Sequence, residues 1–404
     1  MSREFDVIIW GASGFTGRLV AEYVVRQYGT KGDLRWAMAG RNETKLQQVA
    51  TAIGAADVPR VLADSHDLDA LKTLATRTKV VCTTVGPYAL YGSKLVEACI
   101  AEGTDYCDLT GEVQWMRRMI DLHQEVARKK QVRIVHTCGF DSIPSDMGVY
   151  WFQEQLKAAT GQYAQAIHFR LKAGKGGFSG GTIASLNNVL AEAGKDPSIF
   201  EILGDPYGLN PEGERHGPDG PDLDHATFDP ISRAYMAPFV MASINTRVVR
   251  RSQALQGRTY GADFRYNEAT LTGKGFGGKM AANVMSFGMN FLQSATPGGM
   301  KAKFLGLFLP NPGEGPSQKA REAGFYVVDF YAEMPDGSIR KARVKGDRDP
   351  GYGSTSKMLA EAAICLAQDK LPARYGHLTP SVAMGDALLN RLQDNAGLSF
   401  EMRE

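Results

Sequence analysis

The feature that most constrains this chain is a regular alternation of short apolar runs and helical patterns over its first third. Six runs rich in β-branched and other apolar residues are separated by five stretches with helical periodicity. This alternation is typical of a parallel sheet whose strands are joined by crossover helices. We therefore expect one complete doubly wound unit with strand order 3-2-1-4-5-6. The predicted strands are Asp6–Trp10, Leu34–Ala39, Val61–Ala63, Val80–Thr83, Tyr106–Asp108 and Arg133–Thr137.

The first predicted strand runs directly into a glycine-rich loop. Gly11, Gly14 and Gly17 follow the strand, and apolar residues then recur at helical spacing. Gly11 permits a tight turn, Gly14 lets the backbone approach a pyrophosphate, and Gly17 allows close packing of the helix. Strand, loop and helix come in the order that a dinucleotide site needs. The whole loop is therefore predicted to bind the cofactor: Gly11, Ala12, Ser13, Gly14, Phe15, Thr16 and Gly17.

The end of the second predicted strand indicates which dinucleotide binds. An acidic residue there would bond the ribose 2′-hydroxyl of NAD, but the sequence continues with Arg41 and Asn42. A guanidinium can pair with a 2′-phosphate through two hydrogen bonds. The sequence therefore predicts NADPH as the cofactor, with Arg41 as its main discriminator. The alternative is that Arg41 is a solvated residue at the start of a helix.

Further candidate residues follow the later strands, because ligands of open α/β sheets bind beyond the carboxyl ends of the strands. Asp64 follows the third strand, where side chains often meet the adenine. The other cofactor candidates lie after the fourth and sixth strands, and we expect both segments to reach the nicotinamide side of the crevice. They are Thr84, Val85, Gly86 and Pro87 after the fourth strand, and Cys138, Gly139 and Phe140 after the sixth.

Beyond residue 140 the pattern changes to longer strand-like segments. Phe325–Glu333 leads through a Pro-Asp-Gly turn into Ile339–Lys345, which predicts a hairpin and hence antiparallel sheet. Gly204–Pro230 is rich in Pro and Gly and is predicted to be a long loop, whereas Thr355–Leu366 has a helical pattern. The predicted fold class is α/β. It consists of a Rossmann-type NADP-binding domain at 1–140, an α+β substrate and oligomerisation domain on a mostly antiparallel sheet at 141–350, and a helical segment at 351–404.

Charge and cysteine content narrow the class of protein. The 46 Lys and Arg against 44 Asp and Glu leave a formal net charge of +2, which argues against a nucleic-acid binder held by bulk charge. The five cysteines are an odd number without a CxxC pair, so we expect reduced core thiols in a cytoplasmic protein and no metal site. We identify no signal peptide.

The most apolar stretch, residues 280–310, is too interrupted to be a membrane span. A span needs roughly 18 uncharged apolar residues, and this stretch contains Pro297, Lys301 and Lys303. It is interpreted as a surface-seeking segment that contacts a membrane, a substrate or a second subunit.

Four motifs together resemble the saccharopine dehydrogenase-like oxidoreductases. They are the loop at 11–17 and the segments Thr-Thr-Val-Gly-Pro-Tyr at 83–88, Gly-Thr-Asp-Tyr-Cys-Asp-Leu-Thr-Gly-Glu at 103–112 and Cys-Gly-Phe-Asp-Ser-Ile-Pro-Ser-Asp at 138–146. Within that group the chain is most similar to the trans-acting enoyl reductases of mycobacterial lipid and polyketide synthesis. Segments 245–252, 313–317 and 378–388 agree as well, so the likeness covers nearly the whole chain.

The resemblance implies an NADPH-binding domain, an α+β second domain and a carboxyl-terminal segment that returns to pack near the first domain. The implied reaction reduces an α,β-unsaturated acyl thioester carried on an acyl carrier protein. Such a reaction needs a hydride, a stabilised enolate oxygen and a proton donor. Backbone amides around Gly86 or Gly139 are candidates for holding the oxygen. Tyr88 is the first candidate for the proton donor, and Asp141 and Ser142 are the second.

Structural alternatives accompany each of these candidates. Tyr88 would equally suit an aromatic wall beside the nicotinamide, and Asp141 would suit a helix cap. The histidines, among them His136 and His168, have no obvious partner in the sequence and are interpreted as packing or surface residues.

Two other function classes remain open. A saccharopine-type amino-acid dehydrogenase, acting on a C–N bond, would bind carboxylates with arginines of the second domain. The chain offers Arg170, Arg233, Arg247, Arg250 and Arg251 for this role. The second alternative is a non-catalytic NADPH-binding protein associated with lipid.

The expected partners follow from these interpretations of the sequence. We expect a small or carrier-bound acyl substrate and a homodimer in the cytoplasm, with peripheral contact at the inner face of the membrane. Carrier proteins are typically acidic, so two arginine clusters are candidates for a docking rim. They are Arg117 with Arg118, and Arg247 with Arg250 and Arg251. The alternative for both clusters is a solvated helix face.

Overall fold

The computed structural model describes residues 3–176, 185, 188–189, 191–293 and 315–404. Within these residues the strands form two seven-stranded sheets, one parallel and one mixed. The sheets are flanked by helices, and they are connected through the chain's carboxyl-terminal segment, which contributes a strand to each.

The first sheet is the predicted doubly wound unit. Its strands pair in parallel in the order 3-2-1-4-5-6, as the sequence predicts, and a seventh strand from the carboxyl-terminal segment extends the edge beside the sixth. The sequence pattern does not predict this seventh strand. The strands are β1 Phe5–Trp10, β2 Trp36–Gly40, β3 Arg60–Leu62, β4 Thr78–Thr83, β5 Asp105–Cys107, β6 Arg133–Val135 and the added β13 Gly376–Leu378.

The crossover helices begin and end where local chemistry favours it. Asn42 accepts a hydrogen bond from the Lys45 amide at the start of the second helix, and Asp67 caps the third. Gly103 takes a left-handed conformation, with φ 67°, where the fifth helix ends. The helices are α1 Phe15–Tyr28, α2 Glu43–Ala52, α3 Leu68–Thr76, α4 Tyr88–Tyr91, α5 Ser93–Glu102 and α6 Val113–Lys129.

The second sheet is mostly antiparallel, as predicted, with one parallel pair at its centre. The predicted hairpin forms with Glu333 opposite Ile339, and Gly337 takes the positive φ that its turn requires. The parallel pair joins the strands at 166–175 and 265–273. In chain order the strands are β7 Ala166–Lys175, β8 Thr227–Asp229, β9 Ala234–Ala237, β10 Arg265–Gly273, β11 Phe325–Glu333, β12 Ile339–Gly346 and β14 Leu398–Arg403; their order in the sheet is 14-12-11-7-10-9-8.

The remaining helices surround the second sheet or connect it with the first. They are α7 Ile143–Thr160, α8 Ser198–Gly204, α9 Ala242–Leu255, α10 Gly275–Gln293, α11 Gln318–Glu322, α12 Thr355–Gln368 and α13 Pro380–Asp394, and a π-helical turn, Pro350–Ser354, precedes α12. Helix α12 packs against α1 and β4 of the first sheet. Its buried Glu361 accepts hydrogen bonds from the hydroxyls of Tyr23 at 2.6 Å and Tyr28 at 2.7 Å.

The long loop between α8 and β8 is held by buried arginines of α9. Arg250 pairs with Asp219 at 2.7 Å, Arg247 pairs with Asp222, and Arg251 donates to the carbonyl oxygen of Leu209. The prediction that Arg247, Arg250 and Arg251 form an exposed docking rim is therefore wrong, because their charges are used inside the fold.

The other proposed docking cluster is also divided by the structure. Arg117 is buried, pairs with Asp121 and donates to the carbonyl oxygens of Gly208 and Asn210. Arg118 is exposed. Its neighbour thus stabilises the fold, and the pair does not form a basic surface.

The five cysteines are free and buried, as predicted: Cys82, Cys99, Cys107, Cys138 and Cys365. Among the helices in the described ranges, none combines the length and the apolar character that crossing a bilayer requires. Of the apolar stretch 280–310, residues 280–293 belong to α10, and residues 294–310 lie outside the described residues.

Candidate active site

The glycine loop lies at the carboxyl end of β1 and opens into α1. Gly11 has φ 87°, a conformation that side chains rarely adopt, and its amide donates to the carbonyl oxygen of Ala39 at 2.9 Å. A Cβ on Gly17 would lie 2.1 Å from the Gly11 carbonyl oxygen, so only glycine permits this approach of helix to loop. A Cβ on Gly14 would meet only that carbonyl, at 3.3 Å, which leaves the outer side of the loop open.

The start of α1 is suited to an anion. Its N-cap, Gly14, has no capping side chain, and no acidic residue lies in the first turn. The first amides of a helix have no partner within the helix, and the helix dipole favours negative charge at this end. These residues therefore fit the pyrophosphate of a dinucleotide.

Residues after β4 pack on the same loop. A Cβ on Gly11 would lie 2.5 Å from Cγ2 of Val85 and 2.9 Å from the Thr84 hydroxyl. The Val85 amide donates to the Thr83 hydroxyl at 3.2 Å, which fixes the start of this segment. Two segments that the sequence separates by about seventy positions are thus in contact, as sites at the carboxyl edge of a parallel sheet require.

The end of β2 provides the predicted 2′-phosphate position. Gly40 leaves room for Ser13, whose hydroxyl oxygen would lie 3.6 Å from a Cβ there. Arg41 is exposed, and among the described residues its guanidinium has no hydrogen bond or ion pair. Asn42 uses its side-chain oxygen to cap α2, and Asp64 accepts the amide of His66 at 2.8 Å. Arg41 is therefore the charged group at this edge that is available to a ligand.

Phe15 connects the glycine loop with the second half of the chain. Its ring lies edge-on to Tyr352 at 4.7 Å between centroids, and the Arg321 guanidinium lies 5.6 Å from the ring centre. Residue 315 is glycine because a Cβ there would lie 2.4 Å from the Phe15 ring. The predicted cofactor residue Phe15 thus holds the second half of the chain against the loop.

Tyr88 points into the protein core. Its hydroxyl donates to the Thr83 carbonyl oxygen at 3.2 Å, and its ring packs beside Trp115 at 5.6 Å. Burial, together with the charge of Asp108, raises the pKa of this phenol well above its usual value. The geometry gives Tyr88 a role in holding the segment after β4.

Glu112 fixes the other end of this segment. Its buried carboxylate accepts the amides of Tyr88 at 2.7 Å and Ala89 at 2.9 Å, which start helix α4. Gly86 lies between the two residues whose amides Glu112 accepts and the residues that pack on the glycine loop. No acceptor for the Gly86 amide is found within the described ranges, so this amide is available to a ligand.

The turn after β6 contains a residue with a strained backbone conformation. Thr137 has φ 61°, which is costly for a β-branched side chain, and its amide donates to Asp108 at 3.1 Å. Cys138 places its thiol in the core, so only its backbone can approach a cofactor. The Phe140 amide donates to the Thr355 hydroxyl at 3.0 Å, whereas the Gly139 amide has no acceptor in the part of the chain described.

Asp141 is the carboxyl group that this turn brings to the crevice. Its side chain is half-buried and has no hydrogen bond or ion pair with a described residue. Burial, with a smaller effect of the Asp108 charge, raises its pKa to about 7. A carboxyl group with this pKa can hold and release a proton near neutral pH. Asp141 is not the helix cap, since the N-cap of α7 is Ser142.

Ser142 is fully buried in a polar network. Its hydroxyl donates to the Asn245 side chain at 3.1 Å, and Asn245 in turn donates to Glu268 at 2.9 Å. The Tyr266 hydroxyl donates to the same carboxyl group at 2.6 Å. Ser142 therefore joins the two halves of the chain below Asp141.

The structure contains a histidine pair that the sequence pattern does not indicate. His136 contacts the Asp108 carboxylate at 2.7 Å and His377 at 3.2 Å, and Asp108 also accepts the Tyr106 hydroxyl at 2.8 Å. His168 likewise contacts Glu333 at 2.7 Å. His136 and His168 are both buried, as expected of packing residues, but each also has a polar partner that the sequence does not indicate. Their partners lie far away in sequence, and no local motif signals them.

The arginines offered for a charged substrate are mostly internal. Arg170 is buried and pairs with Asp229 at 2.9 Å, and Arg247, Arg250 and Arg251 hold the long loop. Arg233 is the exposed member of the five. The apolar residues near the turn after β6 are different in character, since Phe140 packs edge-on against Tyr326 at 4.8 Å and against Phe239 at 6.5 Å.

Comparison with known proteins identifies the family of the chain. Residues 7–135 match the family model of the saccharopine dehydrogenase NADP binding domain. A trans-acting enoyl reductase of Mycobacterium tuberculosis, so named, is 40% identical over 417 aligned residues, covering 99% of this chain and 97% of the relative. A trans-acting enoyl reductase of Mycobacterium ulcerans is 36% identical and covers 96% of each chain.

A solved structure supports the fold. Saccharopine dehydrogenase (L-Glu forming) from Saccharomyces cerevisiae superposes with a TM-score of 0.53 at 14% identity, covering 98% of this chain and 99% of that one. The two-sheet architecture is thus shared at low sequence identity. The chain belongs to the saccharopine dehydrogenase-like oxidoreductases and, within them, to the family of the trans-acting enoyl reductases.

Proposed function

We propose that this protein is an NADPH-dependent enoyl reductase that reduces an α,β-unsaturated acyl thioester supplied by another enzyme. The observation that carries the proposal is the placement of charge. Three of the five arginines available to an amino-acid substrate pair with aspartates inside the fold, and a fourth, Arg251, is buried against carbonyl oxygens. Asp141, by contrast, follows the carboxyl end of β6, has no partner among the described residues and has a pKa of about 7. An apolar acyl group suits the surroundings of Phe140 better than a dicarboxylic amino acid does. The names of the relatives support the same activity.

The chain's own residues supply binding, orientation and a proton. The amides after Gly14 and the Arg41 guanidinium bind the phosphates of the cofactor. When bound, NADPH supplies a hydride for the β-carbon of the substrate. In this proposal the amides of Gly86 and Gly139, for which the described residues offer no acceptor, donate to the thioester oxygen as negative charge develops on it.

Asp141 is the proton donor in this proposal. In its protonated form it gives a proton to the α-carbon of the substrate, and the carboxylate that remains is reprotonated from solvent. Tyr88 and Ser142 act as positioning residues, because both hydroxyls already donate to protein acceptors. The saccharopine-type C–N dehydrogenase and the non-catalytic NADPH-binding protein are the alternatives that the experiment below separates.

Oxidation of NADPH by a crotonyl or longer enoyl thioester, compared with reduction of NADP⁺ by saccharopine, tests the reaction. We expect turnover of the thioester alone. Turnover of saccharopine would establish the amino-acid dehydrogenase, and binding of NADPH without turnover of either substrate would establish the non-catalytic protein.

The pH dependence tests Asp141. Because the carboxyl group must be protonated, kcat should fall as the pH rises above about 7. Asp141→Asn should lower kcat by about a hundredfold and remove this dependence. Tyr88→Phe is the matched comparison and should keep most of the activity. If Tyr88→Phe instead lost the activity and the pH dependence, the phenol would be the donor.

The proposal also covers the metabolic setting of the reaction, the source of the substrate and the oligomeric state. We place it in lipid or polyketide metabolism in the cytoplasm, with an acyl carrier protein as the source of the substrate and a homodimer as the working state. The word "trans-acting" in the relatives' names supports a carrier from another enzyme. Since the predicted arginine rim is internal, docking of a carrier must use other side chains. Light scattering that gave only the 43.9 kDa monomer would contradict the dimer.

A further inference from the structure

Helix α10 presents its apolar side to solvent. It contacts β9 and β10 through a narrow stripe that contains the buried residues Ala282 and Ser286. Its large apolar side chains lie on other sides of the helix. Phe276 is 78% exposed and Phe287 is 74% exposed, and Met280 and Val284 between them are exposed as well.

These four side chains form one continuous face. At about 100° per residue, Phe276, Met280, Val284 and Phe287 fall within an arc of about 80°. The small residues Gly277, Ala281 and Gly288 widen the arc. The polar residues of the helix, which include Lys279, Asn283 and Asn290, lie beside the opposite edge of the arc. We call Phe276, Met280, Val284 and Phe287 the α10 apolar face.

The charged residues of α10 and of the sequence that flanks it have one sign. From residue 269 to residue 313 the sequence contains four lysines and no acidic residue. Lys274 and Lys279, near the start of α10, are exposed and form no ion pair with a described residue. An apolar helix face bordered by unpaired lysines is complementary to the surface of a bilayer that contains anionic lipids.

We propose that the α10 apolar face binds the surface of an anionic lipid membrane, with the helix lying in the interface. A second copy of the chain is the other occupant of this face that the experiment below tests. The proposal specifies the peripheral membrane contact suggested by the sequence, and it does not depend on the reaction.

Sedimentation of the full chain with lipid vesicles tests the proposal. The protein should bind vesicles of phosphatidylcholine with about a third phosphatidylglycerol, and bind phosphatidylcholine alone much more weakly. Phe276→Ser with Phe287→Ser should weaken binding by about tenfold or more, because both rings leave the interface. Lys274→Ala with Lys279→Ala should reduce the preference for anionic vesicles and the dependence of binding on salt.

The matched control is Leu122→Ser, at an exposed apolar residue on α6. It should leave vesicle binding unchanged, and circular dichroism should show that all variants are folded. Undiminished binding by the double phenylalanine variant would overturn the proposal. A second pair of results would also overturn it. In these results the wild-type protein does not bind the vesicles, and light scattering shows a dimer that the double phenylalanine variant dissociates. NADPH turnover measured without lipid distinguishes either failure from a failure of the proposed reaction.

Discussion

Arg41 carries the preference between NADPH and NADH at the level of a single side chain. Its guanidinium is exposed and has no partner among the described residues, so a 2′-phosphate would meet an unused charge. A hydrogen bond to a charged group contributes about 2 kcal/mol, which is about thirtyfold in affinity. We expect Arg41→Ala to weaken NADPH by about this factor and to leave NADH unchanged, as measured by cofactor titration.

Arg26→Ala is the control for Arg41, since Arg26 is an exposed arginine in the last turn of α1, away from the glycine loop. Its removal should change neither affinity. If the NADPH-to-NADH ratio of Arg41→Ala matched that of wild type, Arg41 would be the solvated helix-start residue that the sequence left as its alternative.

Glu268 makes stability depend on pH. Burial raises its pKa to about 7 from the usual 4.5, although Tyr266, Asn245 and other groups donate to it. Between those two pH values the folded state binds more protons than the unfolded state, so the free energy of unfolding falls as pH rises, by about 3 kcal/mol from this group. Glu268→Gln should lose that part of the slope in denaturant titrations. The exposed Glu97→Gln should keep it, and identical slopes in both variants would show that Glu268 titrates normally.

At the level of elements, the periodicity of apolar residues predicts those strands and helices whose formation depends on local sequence. The six predicted strands of the first sheet form within a few residues of their predicted bounds, and five of the six helices among them correspond to the five predicted helical stretches, because these elements bury regular apolar faces. The short helix α4 is the additional one. Strand β13 has three residues and no pattern of its own, so only the open edge of β6 makes it a strand. The same limit explains the contact of His136 with His377, which are separated by 241 positions.

The loop at 205–226 is an element whose order depends on one buried arginine. Arg250 donates to Asp219, to the Pro206 carbonyl oxygen at 2.9 Å and to the Tyr266 carbonyl oxygen at 2.9 Å. Removing it leaves Asp219 buried without its counter-charge, which costs about 3–5 kcal/mol. We expect wild type to resist protease in this loop and Arg250→Ala to be cut there.

The exposed Arg118→Ala is the matched control for Arg250 and should show the wild-type cleavage pattern. Equal cutting of residues 205–226 in wild type and in Arg250→Ala would mean that the loop is open despite its contacts. That result would agree with the simpler expectation from its Pro and Gly content.

At the scale of the whole molecule, the burial of the α9 arginines shows that a charge pattern in the sequence does not by itself determine whether a helix face is buried or exposed. A sequence such as Thr246-Arg247-Val248-Val249-Arg250-Arg251 suits a solvated or docking helix face as well as a buried one. The outcome depends on Asp219 and Asp222, which reach the helix only because the loop folds over it. The conformation of the glycine loop was predictable because its signal is local, whereas the choice of Asp141 over Tyr88 in the proposed mechanism depends on surroundings that only the structure gives.

The carboxyl-terminal segment joins the two sheets. Strand β13 extends the first sheet, β14 extends the second, and a single cluster of buried apolar side chains includes Val7 of β1 and Phe330 of β11. We therefore expect one calorimetric unfolding transition for the full chain. NADPH at about a hundred times its dissociation constant should add about 2.7 kcal/mol and move the whole transition upward. Arg41→Ala should reduce that shift without splitting the transition. Two transitions, of which only one responded to NADPH, would show instead that the first sheet unfolds independently.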